Sequence, residues 1–404
     1  GAANTTGVAL TVVGLSAGTA HTTGTFNTFL GYESGITCTT PSYSTGLGAY
    51  ALRYLQTGNS NTAVGYNAMS ATTTGAGNVA MGHDALVANT TGDYNLAIGY
   101  AALDANTTAD SATAVGYNAL TANTTGVRQT AVGYNALATV TTNGTNTAVG
   151  YESLKLNTGY SNTAVGGYSL DTNSSGNYNT AVGDSALTAN TTASNNTAVG
   201  ASAAAAVTTG ANNTAMGFNA LLVDSTGAEN TAIGSYALDA STTGHYNVAV
   251  GKAALGANTT AADNTAVGTN SLLVNTTGHS NVAVGSNALD ANTTASGNTA
   301  VGYNSLGLNT TGSISTAVGY VTLAANTTGA NNVAVGSSAL TANTTGGQNV
   351  GIGNNALDAN TTASNSNALG YNALGLNTTG AHNNAFGYGA LDANTTAAHN
   401  CAFG

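Results

Sequence analysis

Apolar residues recur along the chain with a period of 17 residues, and a glycine marks each period. One step of 16 separates Gly150 from Gly166, and every other step is 17. The marking glycine ends an Asn-Thr-Ala-Val-Gly phrase in many periods, as at Gly65, Gly150, Gly166, Gly183 and Gly268, and the grid runs from Gly14 to Gly404. The whole chain is therefore one tandem array, which predicts a repeat architecture.

Each slot of the period has its own residue type, counted from the glycine as position 0. Position −1 is large and apolar, position −2 is alanine, position −3 is threonine or valine, and position +4 is leucine in most periods. Alternation from −3 to −1 predicts a short strand. We expect positions −1 and +4 to point into the core, so that Val182, Leu187, Val250 and Leu255 are buried.

A turn segment of the type Ala-Asn-Thr-Thr-Gly follows the leucine, as at 122–126, and its residue types favour turns. Each coil is therefore predicted to hold two short strands and two turns. Seventeen residues cannot bury an apolar face alone, so the coils must stack about 4.8 Å apart. Helical repeats run to about 33–47 residues and do not fit. The prediction is an all-β parallel β-solenoid of about 24 coils.

The N-terminal coils differ from the rest, which divides the chain into residues 1–60, a possible cap or junction, and the regular solenoid of residues 61–404. Gly18 and Gly35 replace the core leucine there, and Pro41 is the single proline. The C-terminus stops on the grid at Gly404. Two expectations follow: the chain continues in a larger protein, or the last coil of one subunit stacks on the first coil of the next.

Charge and composition exclude several classes of protein. The chain has four Lys and Arg residues and a net charge of −11, so no basic stripe for nucleic acid can form. No apolar run is long enough to insert into a membrane. Histidines and acidic residues are spread over distant coils and form no catalytic pair or metal-ligand set. We therefore expect no enzyme activity, no cofactor and no metal.

The consensus phrase Asn-Thr-Ala-Val-Gly-Tyr-Asn-Ala-Leu, matched at all but one position in 61–69 and 129–137, resembles the head repeat of the YadA-like trimeric adhesins. It is also similar to repeat shafts of phage and virus tail-fibre-like proteins. The resemblance covers residues 14–404. It implies a left-handed parallel β-roll, lateral packing of three chains and a location outside the cell, on the cell surface or on a virion.

Tyrosine recurs at position +1, where other coils carry polar residues, so the column is predicted to be exposed. A ladder of this kind can stack on itself or bind sugars and partner proteins. The candidate binding stripe contains Tyr100, Tyr117, Tyr134 and Tyr151.

Asn-x-Thr/Ser sequences, the acceptors of N-linked glycans, recur at position +7. The asparagines share one column about 4.8 Å apart, which favours a hydrogen-bonded ladder over dense glycans. Both interpretations stay open for Asn106, Asn123, Asn190, Asn275, Asn309, Asn343 and Asn377.

Contacts between subunits are predicted at two kinds of residue. Cys38 and Cys401 lie about 21 coils apart, too far for a bridge within a straight solenoid. Cys401, at position −3, is predicted to be a buried thiol, and the alternative is a bridge between subunits. Alanine at position −2, as at Ala148 and Ala283, is expected on the face opposite the core. That face is predicted to pack against another chain, unless the long turn covers it within the same chain.

These patterns lead to one hypothesis and two alternatives. The chain is predicted to be a structural subunit of a rigid extracellular fibre or adhesive surface stalk, with other copies of itself as the main partner. The alternatives are the shaft of a phage or virus tail fibre that attaches to a host receptor, and a carbohydrate-binding surface along the tyrosine stripe that contacts surface glycans.

Overall fold

The computed structural model describes residues 3–404, which form two compact units divided between Asn196 and Thr197. Each unit is a parallel β-solenoid built from 17-residue coils, and residues 3–404 contain no helix. The predicted fold class is confirmed.

Each coil contributes one strand of three residues, at positions −3 to −1. The first unit contains β1 (Thr11–Val13), β2 (Thr28–Leu30), β3 (Thr45–Leu47), β4 (Thr62–Val64), β5 (Val79–Met81), β6 (Leu96–Ile98), β7 (Thr113–Val115), β8 (Thr130–Val132), β9 (Thr147–Val149), β10 (Thr163–Val165) and β11 (Thr180–Val182). The second contains β12 (Thr197–Val199), β13 (Thr214–Met216), β14 (Thr231–Ile233), β15 (Val248–Val250), β16 (Thr265–Val267), β17 (Val282–Val284), β18 (Thr299–Val301), β19 (Thr316–Val318), β20 (Val333–Val335), β21 (Val350–Ile352), β22 (Asn367–Leu369), β23 (Asn384–Phe386) and β24 (Cys401–Phe403).

Strand pairing follows the sequence period within each unit. Each strand pairs in parallel with the strand of the next coil, and equivalent positions face each other, as Ala266 faces Ala283. The short coil keeps this register, because Thr147 pairs with Thr163 across a step of 16. The missing residue is therefore absorbed in the turn and not in the sheet.

The second predicted strand, around the leucine of position +4, is absent from the described coils. Leucines at this position have left-handed backbone conformations, with φ of 52° at Leu187 and 53° at Leu255. Position +2 is left-handed as well, as at Asn118 with φ of 52°. Such conformations are rare for leucine and cannot continue a strand. Each coil therefore has one strand, and the segment that carries the leucine is a run of turns.

Side chains at position −1 point outward, which is the opposite of the prediction. Leu187 and Leu255 are fully buried, as predicted, but Val182 is 37% exposed and Val250 is half-buried. Alanine at position −2 points inward instead. Leucine side chains explain the choice, because a Cβ placed on Gly351, at position −2, would lie 3.3 Å from Cδ1 of Leu340. The leucine fills the interior and leaves room for little more than a methyl group.

The N-terminal coils use the same grid and fill the interior differently. Phe29 stands at position −2 and is fully buried. Gly18 and Gly35 hold the leucine positions around it, and a Cβ on Gly35 would lie within 2.7–2.9 Å of the Phe29 ring. One large residue at −2 therefore replaces the leucines of the neighbouring coils.

Candidate functional surfaces

The outer face of the strands carries the side chains of positions −3 and −1 in each unit. Position −3 is half-buried in most coils, and position −1 is half-buried or exposed. Neither position carries a charged residue in any of the 24 strands, although the chain has 19 charged residues. Charge is confined to the turns, so each unit presents a strip of mostly threonine and aliphatic side chains that contains no ionic group.

The predicted contact face of alanines does not exist. Ala148 and Ala283 are fully buried within the single chain, so neither can contact another subunit. The prediction was wrong because it assigned the larger residue of the strand to the core. The candidate interface moves from position −2 to positions −3 and −1.

The tyrosine stripe forms a stacked column in the first unit. Ring centroids are 5.1 Å apart between Tyr100 and Tyr117, 5.3 Å between Tyr117 and Tyr134, and 5.1 Å between Tyr134 and Tyr151. The planes of these pairs differ by 9–12°. The rings are 42–48% exposed. Both the exposure and the stacking of the stripe on itself are confirmed.

Sugar binding by this stripe has less support from the geometry. Carbohydrates pack on the flat faces of aromatic rings, but both faces of Tyr117 and Tyr134 are covered by neighbouring rings. The stack continues through His83 to Tyr66, and an edge-to-face contact joins Tyr151 to Tyr168. Solvent therefore meets mainly ring edges and hydroxyl groups.

The asparagines of position +7 form a buried ladder, as the sequence predicted. In the second unit, the Nδ2 of each asparagine donates to the Oδ1 of the one before it, for example Asn309 to Asn292 at 3.1 Å and Asn343 to Asn326 at 2.8 Å. Each Nδ2 also donates to a carbonyl in its own turn, as Asn309 to Gly312 at 2.9 Å. The unbroken run in this unit contains Asn258, Asn275, Asn292, Asn309, Asn326, Asn343, Asn360, Asn377 and Asn394.

Burial of this ladder argues against glycans on the predicted acceptors in the folded chain. A glycan requires a free side-chain nitrogen, but these nitrogens point inward and are hydrogen-bonded. The seven candidate acceptors are all fully buried: Asn106, Asn123, Asn190, Asn275, Asn309, Asn343 and Asn377.

A second buried ladder occupies position −4, beside the strand. Asn298 donates from Nδ2 to the carbonyl of Gly312 at 2.9 Å, and its side-chain oxygen accepts from the backbone nitrogen of Ser315 at 2.9 Å. Each such asparagine therefore joins its own coil to the next through backbone groups. Because an unpaired buried polar group is costly, these side chains keep the turns in register.

The two cysteines lie in different environments. Cys38 occupies position +7, the slot of the asparagine ladder, and is fully buried; burial raises the pKa of its thiol. Cys401 is exposed in β24, so the prediction of a buried thiol there is wrong, because position −3 lies on the outer strand face. A bridge between subunits through Cys38 is therefore wrong for the folded chain, since its sulfur cannot reach another molecule. Gly1, whose surroundings would test stacking of chain ends, lies outside the described residues.

Two titratable residues also replace asparagine at position +7 and are fully buried. The Nε2 of His21 lies 3.0 Å from the Nδ2 of Asn27. Asp224 accepts from the backbone nitrogen of Gly227 at 2.7 Å and from Nδ2 of Asn230 at 3.2 Å. Burial raises the pKa of Asp224 to about 7 in spite of these bonds. Both lie beside coils that also lack asparagine at this position, since Cys38 follows His21, and Val207 and Ser241 occupy position +7 on either side of Asp224.

Conventional binding sites are absent from the part of the chain that the structure describes. Residues 3–404 contain no pocket and no group of three or more His, Cys, Asp or Glu side chains able to hold a metal ion. Nor does this range include a helix that is long and apolar enough to cross a membrane. The candidate functional features are therefore surfaces, namely the outer strand face and the tyrosine column.

Sequence reasoning missed the outer strand face, although a signal for it was present. Uncharged residues at −3 and −1 in every coil, next to variable and charged turns, mark a face on which charge is avoided.

Comparison with protein-family models gives no match to the chain, and comparison with curated proteins gives none either.

Proposed function

We propose that the chain is a structural subunit of a rigid extracellular fibre or adhesive surface stalk. The observation that carries this proposal is the repetition of one coil in which the asparagines at positions +7 and −4 are hydrogen-bonded to neighbouring coils, as at Asn309 and Asn298. Two asparagine ladders and the strand pairs connect neighbouring coils. A repeat built in this way extends without adding a cleft, which suits a spacer and not a catalyst.

Threonines of the turn add a further connection that supports rigidity. In one coil, the backbone nitrogens of Thr344 and Thr345 and the hydroxyl of Thr344 all donate to the carbonyl of Thr361, at 2.8, 3.3 and 3.0 Å. The same arrangement recurs at Thr327, Thr361 and Thr378. Bending a solenoid stretches such bonds on one side, so the turns resist bending together with the sheet.

The partner in this proposal is another copy of the chain, packed laterally through the outer strand face. Strips of threonine and aliphatic side chains without charge resemble the inner faces of packed sheets, in which side chains of two layers interdigitate. A homotrimer is the arrangement proposed, in keeping with the resemblance to trimeric adhesin heads. Head-to-tail stacking stays a prediction, and a disulfide between Cys38 and Cys401 has no part in it.

Electron microscopy of the purified chain tests this proposal. We expect straight, unbranched rods of uniform width, wider than one solenoid. Single, curved or globular particles would contradict it. A matched variant with lysine at three outer positions, V250K/V267K/V284K, should give thinner rods with unchanged secondary structure. A control with lysine at the exposed turn positions that precede the same three strands, Y246K/D263K/S280K, should keep the original width.

The alternative of a tail-fibre shaft rests on the same observations and differs in the particle that carries the fibre. Imaging the native source distinguishes the two, because a virion would show the rods at its tail and a cell would show them on its envelope.

A further inference from the structure

Four tyrosines of the first unit form the longest run of parallel phenol rings in the described residues. They are Tyr100, Tyr117, Tyr134 and Tyr151, with centroids 5.1–5.3 Å apart and planes within 12° of parallel. The spacing is imposed by the coils, because each ring stands on a backbone that is bonded to the next. Every ring keeps an exposed edge. Oxidants in solution therefore reach phenols whose nearest neighbour is another phenol.

One-electron oxidation of a phenol, with loss of its hydroxyl proton, gives a phenoxyl radical that carries spin on the carbons next to the C–O bond. Two such radicals combine through these carbons. For free tyrosines this requires an encounter, whereas stacked rings are already held together, which raises the effective concentration of the partner by orders of magnitude. Solvent on the ring edges leaves space for the two rings to tilt as the bond forms.

We propose that this column is a site of oxidative cross-linking, in which hydrogen peroxide and a haem peroxidase join tyrosines of adjacent coils as dityrosine. Each ring loses one electron and one proton, and one carbon–carbon bond forms between the rings. The peroxide accepts the two electrons and two protons and leaves as two molecules of water. The product is a covalent cross-link between coils that were previously held together by non-covalent contacts alone. The inference goes beyond the proposed fibre function and does not depend on it.

The molecule contains its own controls for exposure. Tyr94 is 71% exposed and Tyr246 is 57% exposed, both more than any member of the column. Among residues 3–404, no tyrosine ring packs against either of them; Tyr246 has only a tilted contact with His245. If accessibility alone governed coupling, these two would react before the column and would link separate molecules. If stacking governs it, they stay unlinked.

The experiment treats dilute full-length protein with a haem peroxidase and limiting hydrogen peroxide. Digestion and mass spectrometry then locate each link, which lowers the summed peptide mass by two hydrogens. We expect links 100–117, 117–134 and 134–151 within one chain. The variant Y117F/Y134F should lose these links at least tenfold, because phenylalanine keeps the stack but has no oxidisable hydroxyl. The stacked pair Tyr371 and Tyr388, 5.2 Å apart, should still couple in that variant.

The variant Y94F should leave the pattern unchanged. Circular dichroism before oxidation checks that each variant is folded. Links that join Tyr94 or Tyr246 of different molecules, at yields equal to those of the column, would overturn the proposal. So would oxidation of the column to products that contain no dityrosine.

Discussion

The coils around Phe29 and the coils of the second unit fill the same interior in two different ways. In the second unit a leucine at position +4 meets an alanine at position −2, as Leu255 and Ala266 illustrate, and both are fully buried. Near the N-terminus a phenylalanine occupies −2 and glycines occupy +4. The backbone is shared, since Gly35 has φ of 59° and Leu255 has φ of 53°.

This difference teaches that the interior of a coil has room for one large side chain, which can come from position −2 or from position +4. Glycine at +4 is therefore not needed for its left-handed backbone, because leucine adopts the same conformation in most coils. It is needed because the Phe29 ring occupies the space. The N-terminal coils are a repacked version of the regular coil.

Exchanging the two packings is the strongest test of the comparison. We expect F29A to lower the free energy of unfolding by about 3–5 kcal/mol, because it leaves a cavity between glycines. The variant G35L alone should also destabilise, through overpacking against the ring. The double variant F29A/G35L restores the regular pattern and should recover most of the loss. Chemical denaturation measures the free energy of unfolding of all three variants. If the loss in the double variant is as large as the sum of the losses in the two single variants, the comparison is wrong.

Inside and outside positions of the regular coil provide the next test. L255A should cost about 2–5 kcal/mol, because it removes a fully buried side chain. V250A, only five residues away on the outer strand face, should cost less than about 1 kcal/mol in an isolated chain, since its side chain is already partly solvated. If L255A and V250A lower the free energy of unfolding equally in denaturant, Val250 must face the interior and not the outer strand face.

Asp224 allows a test of charge burial at position +7, where most coils carry asparagine. Its pKa rises from 3.8 to about 7 on folding, so the folded chain holds an additional proton between these values. Stability from this group must therefore fall as pH increases from about 4 to about 7 and change no further above that. D224N should remove this dependence and raise stability above pH 7 by up to about 4 kcal/mol.

Unfolding followed at pH 4 and at pH 8 measures the effect of D224N. The gain at pH 8 should be largely absent at pH 4, where the carboxyl group of the original protein is protonated when folded. A gain of the same size at both pH values would show that the amide, and not the loss of charge, is responsible.

Much of the fold follows from the sequence, because a 17-residue period with turn residues between apolar positions leaves few architectures. The buried leucine, the exposed tyrosine column and the asparagine ladder were all predicted. The side of the strand that faces the interior was predicted wrongly, since larger strand residues such as Val182 usually face a core. Here the left-handed leucines enter the interior first and restrict the strand to alanine. No propensity rule anticipates leucine in that conformation, so the outer face was misassigned and the role of Phe29 was missed.

The central claim is that copies of this chain associate through the outer strand face to form a rigid shaft. Sedimentation equilibrium of the purified chain tests it most directly, with V250K/V267K/V284K run beside it. We predict a mass of three chains for the original protein and of one chain for the variant. The circular-dichroism spectra of the two proteins should be the same and should show no helix. A single-chain mass for the original protein at every concentration would contradict the claim.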